Sequence, residues 1–282
     1  MIEMESSDRH PRPNVENPEP NPASASSGKE IDSKPPLPAS LDEAIGSSSL
    51  ETLQAAAADP GLSEDLALAL AQRADLPSEV LERLSKSRSA KGRKVKLALV
   101  GHPRTPRHAS MSLVRQLFTF DLMQVALTPT IAGDIKVAAE EILLKRLESI
   151  ASGARLSLAR RASGRVAAAL LLDPESRVVE AALENPRLTE ALVRQALLRA
   201  EATPVLVHAV CEHPKWSLRR EIRFALLRND KTPIDLALEF ARSFTARQVQ
   251  EVLRSSRLPA VAKASILSEL LNDSTSGQKR CD

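Results

Sequence analysis

Aromatic residues are scarce in this sequence. Its 282 residues include no tyrosine, one tryptophan and five phenylalanines. Strands favour aromatic and β-branched side chains, so a composition rich in alanine, leucine, valine and arginine argues against a sheet. The nine glycines and nineteen prolines are placed so that they leave no room for alternating strands. We therefore expect an all-α protein.

Cysteines and long apolar runs are also few. Cys211 and Cys281 are too few for a disulfide framework or a four-cysteine metal cluster. The longest uninterrupted apolar run, Val166–Leu172, is far shorter than the roughly 20 residues that span a bilayer. The start, MIEMESSDRHPRP, has acids and prolines where a signal peptide needs a basic and then an apolar stretch. We expect a cytoplasmic protein with no membrane partner.

Sequence motifs for catalysis are missing as well. The sequence contains no glycine-rich phosphate loop, no nucleophile elbow and no His-Glu-x-x-His helix. Glu140 and Glu141 are adjacent on a predicted helix and therefore point in different directions. We expect no enzymatic activity and no cofactor.

Charge is distributed unevenly along the chain. Residues 1–50 hold nine acids and four bases, a net charge of −5, whereas the remainder holds 35 bases and 27 acids, a net charge of +8. Residues 1–40 contain eight prolines and seven serines and too little apolar surface to offset the entropy of ordering. We predict a disordered acidic arm over residues 1–40, which includes the proline-rich stretch 34–38. It is either a solvated spacer or a polyproline ligand.

Residues 41–272 contain the start and stop signals of a series of short helices. Ser40 and Glu43 are spaced as a capping box, and Asp173, Thr203 and Thr232 each precede a proline, as N-caps do. Apolar residues recur at spacings of three and four between these signals, which is typical of helices with one buried stripe. The polar tail 273–282 is predicted to be disordered.

The prolines reveal an internal repeat. Pro77, Pro103 and Pro129 are 26 residues apart, and Pro186 and Pro214 are 28 apart. Between Pro129 and Pro186 one repeat lacks its proline, near residues 153–156, where we expect Gly153 to take its place at the turn. A period near 27 residues predicts an α-solenoid of about seven or eight two-helix repeats, because each pair must stack on its neighbours to bury its apolar face.

Three units carry a family resemblance. Residues 95–117, 177–198 and 205–227 each contain an apolar helix, a proline-containing turn and a second apolar helix; two of them read ALVGHPRTP and ALENPRLTEALVRQAL. This pattern resembles leucine-rich-repeat-variant and bacterial HEAT-like repeats. The resemblance implies an α-solenoid with an interaction role. Some relatives carry a cysteine-rich iron–sulfur segment, which two lone cysteines exclude here.

The strongest charge feature is a stretch without acids between Glu82 and Asp121. We call its ten bases the basic run: Arg83, Lys86, Arg88, Lys91, Arg93, Lys94, Lys96, Arg104, Arg107 and Arg115. A second acid-free stretch holds Arg155, Arg160, Arg161 and Arg165.

In a solenoid these bases could line one ridge and bind an anion such as a phosphate backbone. Alternatively they are a solvated surface, or the acidic arm covers them. Arg93, Lys94 and Lys96 do not share one helix face, and the sequence offers few aromatics for base stacking.

Histidine and tryptophan positions admit structural and functional interpretations. His102, Asn185 and His213 each precede a proline at the same repeat position, which indicates helix capping. His208, Cys211 and His213 are too few to close a zinc site, so we predict no metal and a buried Cys211. Trp216 is expected to be a staple between units. Some HEAT-like glycosylases use aromatic residues and an acid to find damaged bases, which would be a third function.

These observations favour a non-catalytic scaffold that binds another protein. The alternative is a nucleic-acid-binding solenoid that uses the basic run, and the third is a glycosylase-type enzyme.

Overall fold

A computed structural model describes the backbone of residues 40–278 and the side chains of residues 40–269. Within this part of the chain there are seventeen α-helices and no strand, which confirms the all-α class. The helices are α1 Leu41–Gly46, α2 Leu50–Ala58, α3 Glu64–Ala71, α4 Ser78–Lys86, α5 Arg93–Gly101, α6 Arg107–Val114, α7 Thr119–Leu127, α8 Gly133–Arg146, α9 Ser152–Arg161, α10 Gly164–Leu170, α11 Ser176–Leu183, α12 Glu190–Leu198, α13 Pro204–Glu212, α14 Arg220–Arg228, α15 Ile234–Arg242, α16 Ala246–Arg254 and α17 Ala260–Gln278. The predicted arm, apart from Ser40, and residues 279–282 lie outside the described residues.

The predicted helix starts are partly confirmed. Ser40 accepts a hydrogen bond from the Glu43 amide, and Thr203 caps α13 with Pro204 as the first helical residue. The prediction was wrong at Asp173, whose carboxylate accepts from the Glu175 amide in a turn that precedes α11. It was also wrong at Thr232, whose hydroxyl donates to the Leu226 carbonyl while α15 begins only after Pro233. In both cases the polar side chain forms a hydrogen bond within the turn and does not cap the helix, so the helix begins further along the chain than predicted.

The proline turns join odd-numbered helices to the following even-numbered ones. Pro103, Pro186 and Pro214 lie in the turns α5–α6, α11–α12 and α13–α14. The expectation that Gly153 replaces a proline at the turn between two helices was wrong, because Gly153 lies inside the first turn of α9. The corresponding turn, α9–α10, is only residues 162–163 long and needs no proline.

Helix packing follows a regular order along the chain. Each even-numbered helix packs on the next even-numbered one, without interruption from α2 to α16. The odd-numbered helices pack in the same way from α1 to α7, from α9 to α13 and between α15 and α17. Contact between α7 and α9, and between α13 and α15, is marginal. The even-numbered helices therefore make the continuous series of contacts.

The apolar side chains form one connected core from Ile45 to Ile266. Residues at helical spacing, such as Val80 and Leu84 or Val249 and Leu253, lie inside it. Because each helix has a single buried stripe, no helix pair could bury that stripe alone.

Helix α17 continues past residue 272, where the sequence predicts that the repeat domain ends. Between residues 40 and 278, none of the helices combines the length and apolar character that a bilayer crossing requires.

Candidate partner-binding surface

The structure separates the basic run into several groups. Its members lie on α4, on the segment that joins α4 to α5, on α5, and on α6 and its flanking turns. Four of them have partners within the described chain. Lys86 pairs with Glu82 at 2.7 Å and Arg107 with Asp134 at 2.6 Å, while Arg104 donates to the Asp75 carbonyl at 3.0 Å.

Arg93 is the fourth and has a structural role. It binds the carboxylate of Asp121 with both Nε and Nη2, at 2.8–3.1 Å. Asp121 is only 2% exposed, so this bidentate pair ties α5 to α7 and satisfies a buried charge. The hydrogen bond with Asp121 also raises the pKa of Arg93.

The side chains of the other members of the basic run make no hydrogen bond or ion pair with residues 40–269. They are Arg83, Arg88, Lys91, Lys94, Lys96 and Arg115. They belong to helices of both the odd and the even series and to the segment between α4 and α5, so the described structure does not align them on one series of helices.

In the second basic stretch, the first residue, Arg155, has a structural role. Arg155 is nearly buried and bonds Asp173 and Glu175, both at 2.8 Å. Arg165 reaches Glu140 on α8 at 3.7 Å, whereas Arg160 and Arg161 are exposed. The sequence stretch therefore does not form one basic face.

A furrow crosses the even-numbered helices from α8 to α16. It consists of three adjoining depressions of about 490, 520 and 460 Å³. The first and second share Gln195 and Arg199, and the second and third share Arg194 and Leu198. We refer to this continuous surface as the furrow.

The third depression, between α12, α14 and α16, combines apolar and charged side chains. Its lining residues are Arg194, Leu198, Arg220, Glu221, Phe224, Ala225, Arg228, Gln248, Glu251 and Val252. Leu198 is 39% exposed although it is a large apolar residue. A mixture of arginine, aromatic and aliphatic side chains is typical of the centre of protein interfaces.

Two arginines of the third depression lack acidic partners among the described residues. The guanidinium of Arg220 lies 5.5 Å from the ring of Phe224 and 5.6 Å from that of Phe244, and these rings stack at 4.0 Å. The Nε of Arg228 is buried and has no hydrogen-bond acceptor. The acids nearby do not neutralise them, since Glu221 lies 4.0 Å from Arg194 instead.

A second groove lies across the odd-numbered helices α9, α11 and α13. Its volume is about 930 Å³, and Leu156, Ala181 and Val205 contribute apolar surface to it. Its charged residues include both signs, and His208 is paired with Glu212 at 3.2 Å. This groove is therefore a large surface on which neither positive nor negative charge predominates.

The predicted caps take part in contacts between helix pairs. His102 Nδ1 accepts from the Arg104 amide, so its Nε2 carries the proton and donates to the Arg73 carbonyl at 2.9 Å. Asn185 accepts from the Arg187 amide, and His213 from the Lys215 amide, at 2.8 and 3.1 Å. All three residues lie where a helix ends, but their side chains bond the amide two residues on and not the carbonyls of their own helix, so the capping prediction is confirmed in position only. His102 and Asn185 also bond carbonyls of the preceding pair.

Cys211 is buried, as expected, and burial raises its pKa to about 12. The described residues contain no group of three or more histidines, cysteines or acids arranged to hold a metal ion.

Trp216 is 2% exposed, and its indole nitrogen donates to the Leu183 carbonyl at 2.9 Å. The expected staple between helix pairs is confirmed. A ring held in this way has no free face on which a damaged base could stack.

Comparison with known proteins identifies no relative. No protein-family model matches the chain, and neither a curated protein nor a solved structure matches it significantly.

The furrow was missed in the sequence. Leu198 lies on α12, whereas Phe224 and Arg228 lie on α14 of the next helix pair, and each sits in an ordinary amphipathic pattern. The one available signal was Leu198, which ends an apolar helix face and is followed at once by Arg199.

Proposed function

We propose that the chain is an α-solenoid of eight helix pairs followed by α17, of the leucine-rich-repeat-variant or HEAT-like kind. The unbroken packing of successive even-numbered helices supports this arrangement. The recurrent bonds from a turn side chain to a carbonyl of an earlier helix pair support it too. Quasi-identical contacts between neighbouring units are what a stacked array requires.

We further propose that the protein is a non-catalytic scaffold, located in the cytoplasm, that binds another protein along the furrow. The observation that carries this proposal is the continuity of the three depressions across five successive even-numbered helices. Repeat arrays bind partners on extended surfaces built from several units. The furrow also exposes Leu198 and half-buried Phe224 beside arginines, which suits a protein partner.

The test is to isolate partners with the full chain and to measure their affinity for three forms of it. Leu198→Asp places a charge at the centre of the furrow and should weaken binding at least tenfold. Leu218→Asp changes a residue that is 71% exposed and lies outside the furrow, so it serves as the matched control. Equal binding by both variants would place the partner elsewhere and overturn the proposed surface.

One observation favours nucleic-acid binding as a second candidate function. Phe118 and Phe120 are 66% and 42% exposed, and the Arg93 guanidinium lies 5.9 Å from the Phe118 ring. Exposed aromatics beside unpaired bases such as Lys94 could stack on bases of a single strand.

Fluorescence anisotropy of labelled single-stranded and duplex DNA tests this second function. Binding should weaken steeply as salt is raised, because each phosphate contact releases a counterion. Phe118→Ala should weaken single-strand binding, whereas Leu218→Ala should not. Absence of binding to either DNA at low salt would exclude this candidate function.

A further inference from the structure

We propose that the third depression of the furrow receives an acidic linear segment of the partner protein, with an apolar side chain between two carboxylates. The inference rests on the proposed scaffold function. It adds the chemistry of the ligand and the residues that select it: Arg220 and Arg228 for the carboxylates, and Leu198 and Phe224 for the apolar side chain.

Arg228 supplies the first argument. It lines the depression from the last turn of α14, and its Nε is buried with no acceptor in the described structure. A buried N–H group is almost always satisfied in a native protein, so an unpaired one calls for an explanation. A carboxylate seated in the depression would supply the missing acceptor once the side chain turns its Nε toward the ligand, because guanidinium groups accommodate carboxylates with two parallel hydrogen bonds.

Arg220 supplies the second argument. It lies on the same helix, two turns before Arg228, and its guanidinium rests against the stacked rings of Phe224 and Phe244. This contact limits the conformations of a long side chain before any ligand arrives. Its charge nevertheless has no carboxylate partner within residues 40–269. An arginine held in place and left unpaired loses less entropy on binding an anion than a free one does.

The surrounding charges favour a carboxylate ligand that also brings apolar groups. Arg194 shares its charge with Glu221, and Glu251 lies on the opposite wall on α16. These two acids would repel the closely spaced phosphates of a nucleic acid, whereas a peptide can place its carboxylates at Arg220 and Arg228 alone. The exposed side of Leu198 and the ring of Phe224 provide apolar surface within the same depression.

The size of the furrow fits an extended segment. The third depression has about 460 Å³, which is within the usual range for a ligand pocket. It opens through Arg194 and Leu198 into the second depression, so a chain could continue toward α8. A compact anion would fill one end and leave the rest of the furrow empty.

The experiment is selection of random peptides displayed on phage against the full chain, followed by affinity measurements with synthetic copies. We expect the selected peptides to carry two acids flanking a bulky apolar residue. The double variant Arg220→Gln with Arg228→Gln should weaken their binding at least tenfold. The control, Arg247→Gln with Arg254→Gln, removes the same charge from α16 outside the furrow and should bind as the unmodified chain does. Circular dichroism and the melting temperature establish that both variants fold.

Four other outcomes overturn the inference, and they differ in what they say of the scaffold function. Peptides that lack acids, or that bind both double variants equally, would leave a peptide-binding scaffold with another ligand or surface. Failure to select any peptide would count against both proposals. If a DNA duplex binds the chain and the furrow variant loses that binding, the furrow takes phosphates and not a peptide.

Discussion

The side-chain amide of Asn185 donates to the carbonyl of Ala159, 2.7 Å away and one helix pair earlier in the chain. A second hydrogen bond from the same nitrogen reaches the Ala162 carbonyl at 3.1 Å. Asn185 Oδ1 accepts from the Arg187 amide, so one buried side chain holds its own turn and the end of α9 together. Asn229 repeats this arrangement with the Leu197 carbonyl and the Lys231 amide.

Asn185→Ala should therefore be costly. The change leaves two carbonyls and one amide without their partner in a buried turn, and we expect a loss of about 3 kcal/mol in the free energy of unfolding. Urea denaturation measures it. Asn185→Asp keeps the acceptor for the Arg187 amide but removes both donors, so it should also destabilise at neutral pH and recover in part when the carboxyl is protonated. A change below about 0.5 kcal/mol for the alanine variant would contradict this role.

Much of this turn architecture was predictable because the signal is local. A polar residue followed by proline, between two apolar stripes with helical spacing, marks the turn between two helices, although at Asp173 and Thr232 it does not give the residue at which the next helix begins. His102, Asn185 and His213 were found in that way, as was Trp216. The carbonyls that His102 and Asn185 bond lie more than twenty residues earlier, and no short window of sequence contains both partners.

The candidate site was not predictable for the same reason. Arg93 and Asp121 are 28 residues apart, so the sequence shows an acid-free run where the structure shows a neutralised pair. The furrow likewise depends on which residues of α12, α14 and α16 come into register. That register follows from packing between helices, which periodicity along one helix does not specify.

Gly164 and Gly153 should respond to alanine with opposite signs. A Cβ atom at Gly164 would lie 2.3 Å from the Arg187 carbonyl oxygen, so this backbone approach tolerates only glycine. Gly164→Ala should destabilise by about 1–3 kcal/mol. Gly153 lies inside α9, where an added Cβ atom would meet nothing within 4 Å beyond its own stretch of helix, and alanine there should stabilise by about 0.5–1 kcal/mol.

Thermal unfolding of the two alanine variants, monitored by circular dichroism, provides the comparison. A lower melting temperature for Gly164→Ala and a higher one for Gly153→Ala is the expected pair of results. Stabilisation by both would mean that the α11–α12 turn moves away from α10 at no cost.

Stability at acid pH should depend on Glu175. Its carboxylate accepts from the Ser152 hydroxyl at 2.5 Å, and this bond, with help from Arg177 and Arg155, lowers its pKa. A lowered pKa means that the folded state favours the ionised form. The stabilisation is therefore present above the ordinary pKa of about 4.3 and is lost as pH falls through the lowered value.

Glu175→Gln should consequently lower the melting temperature at neutral pH and make its fall below pH of about 4.3 shallower. Glu180→Gln, which alters an exposed acid without a partner in the described chain, is the control and should leave the profile unchanged. Superimposable profiles for the unmodified chain and Glu175→Gln would show that the carboxylate has the same pKa in the folded and unfolded states.

Arg228 should reveal a conflict between stability and binding. In the free chain its buried Nε has no acceptor, and methionine would fill similar space without an unpaired donor. We expect Arg228→Met to raise the free energy of unfolding by about 1 kcal/mol.

Arg220→Met removes a guanidinium that rests on two aromatic rings, so it should lower that free energy by about 0.5–1 kcal/mol. Both variants should lose affinity for acidic peptides. Denaturant titrations give the free energy of unfolding, and peptide binding on the same samples gives the affinity. If Arg228 is retained for its ligand, its replacement should stabilise the fold and still weaken peptide binding. A clear loss of stability in Arg228→Met would show instead that the guanidinium supports the fold.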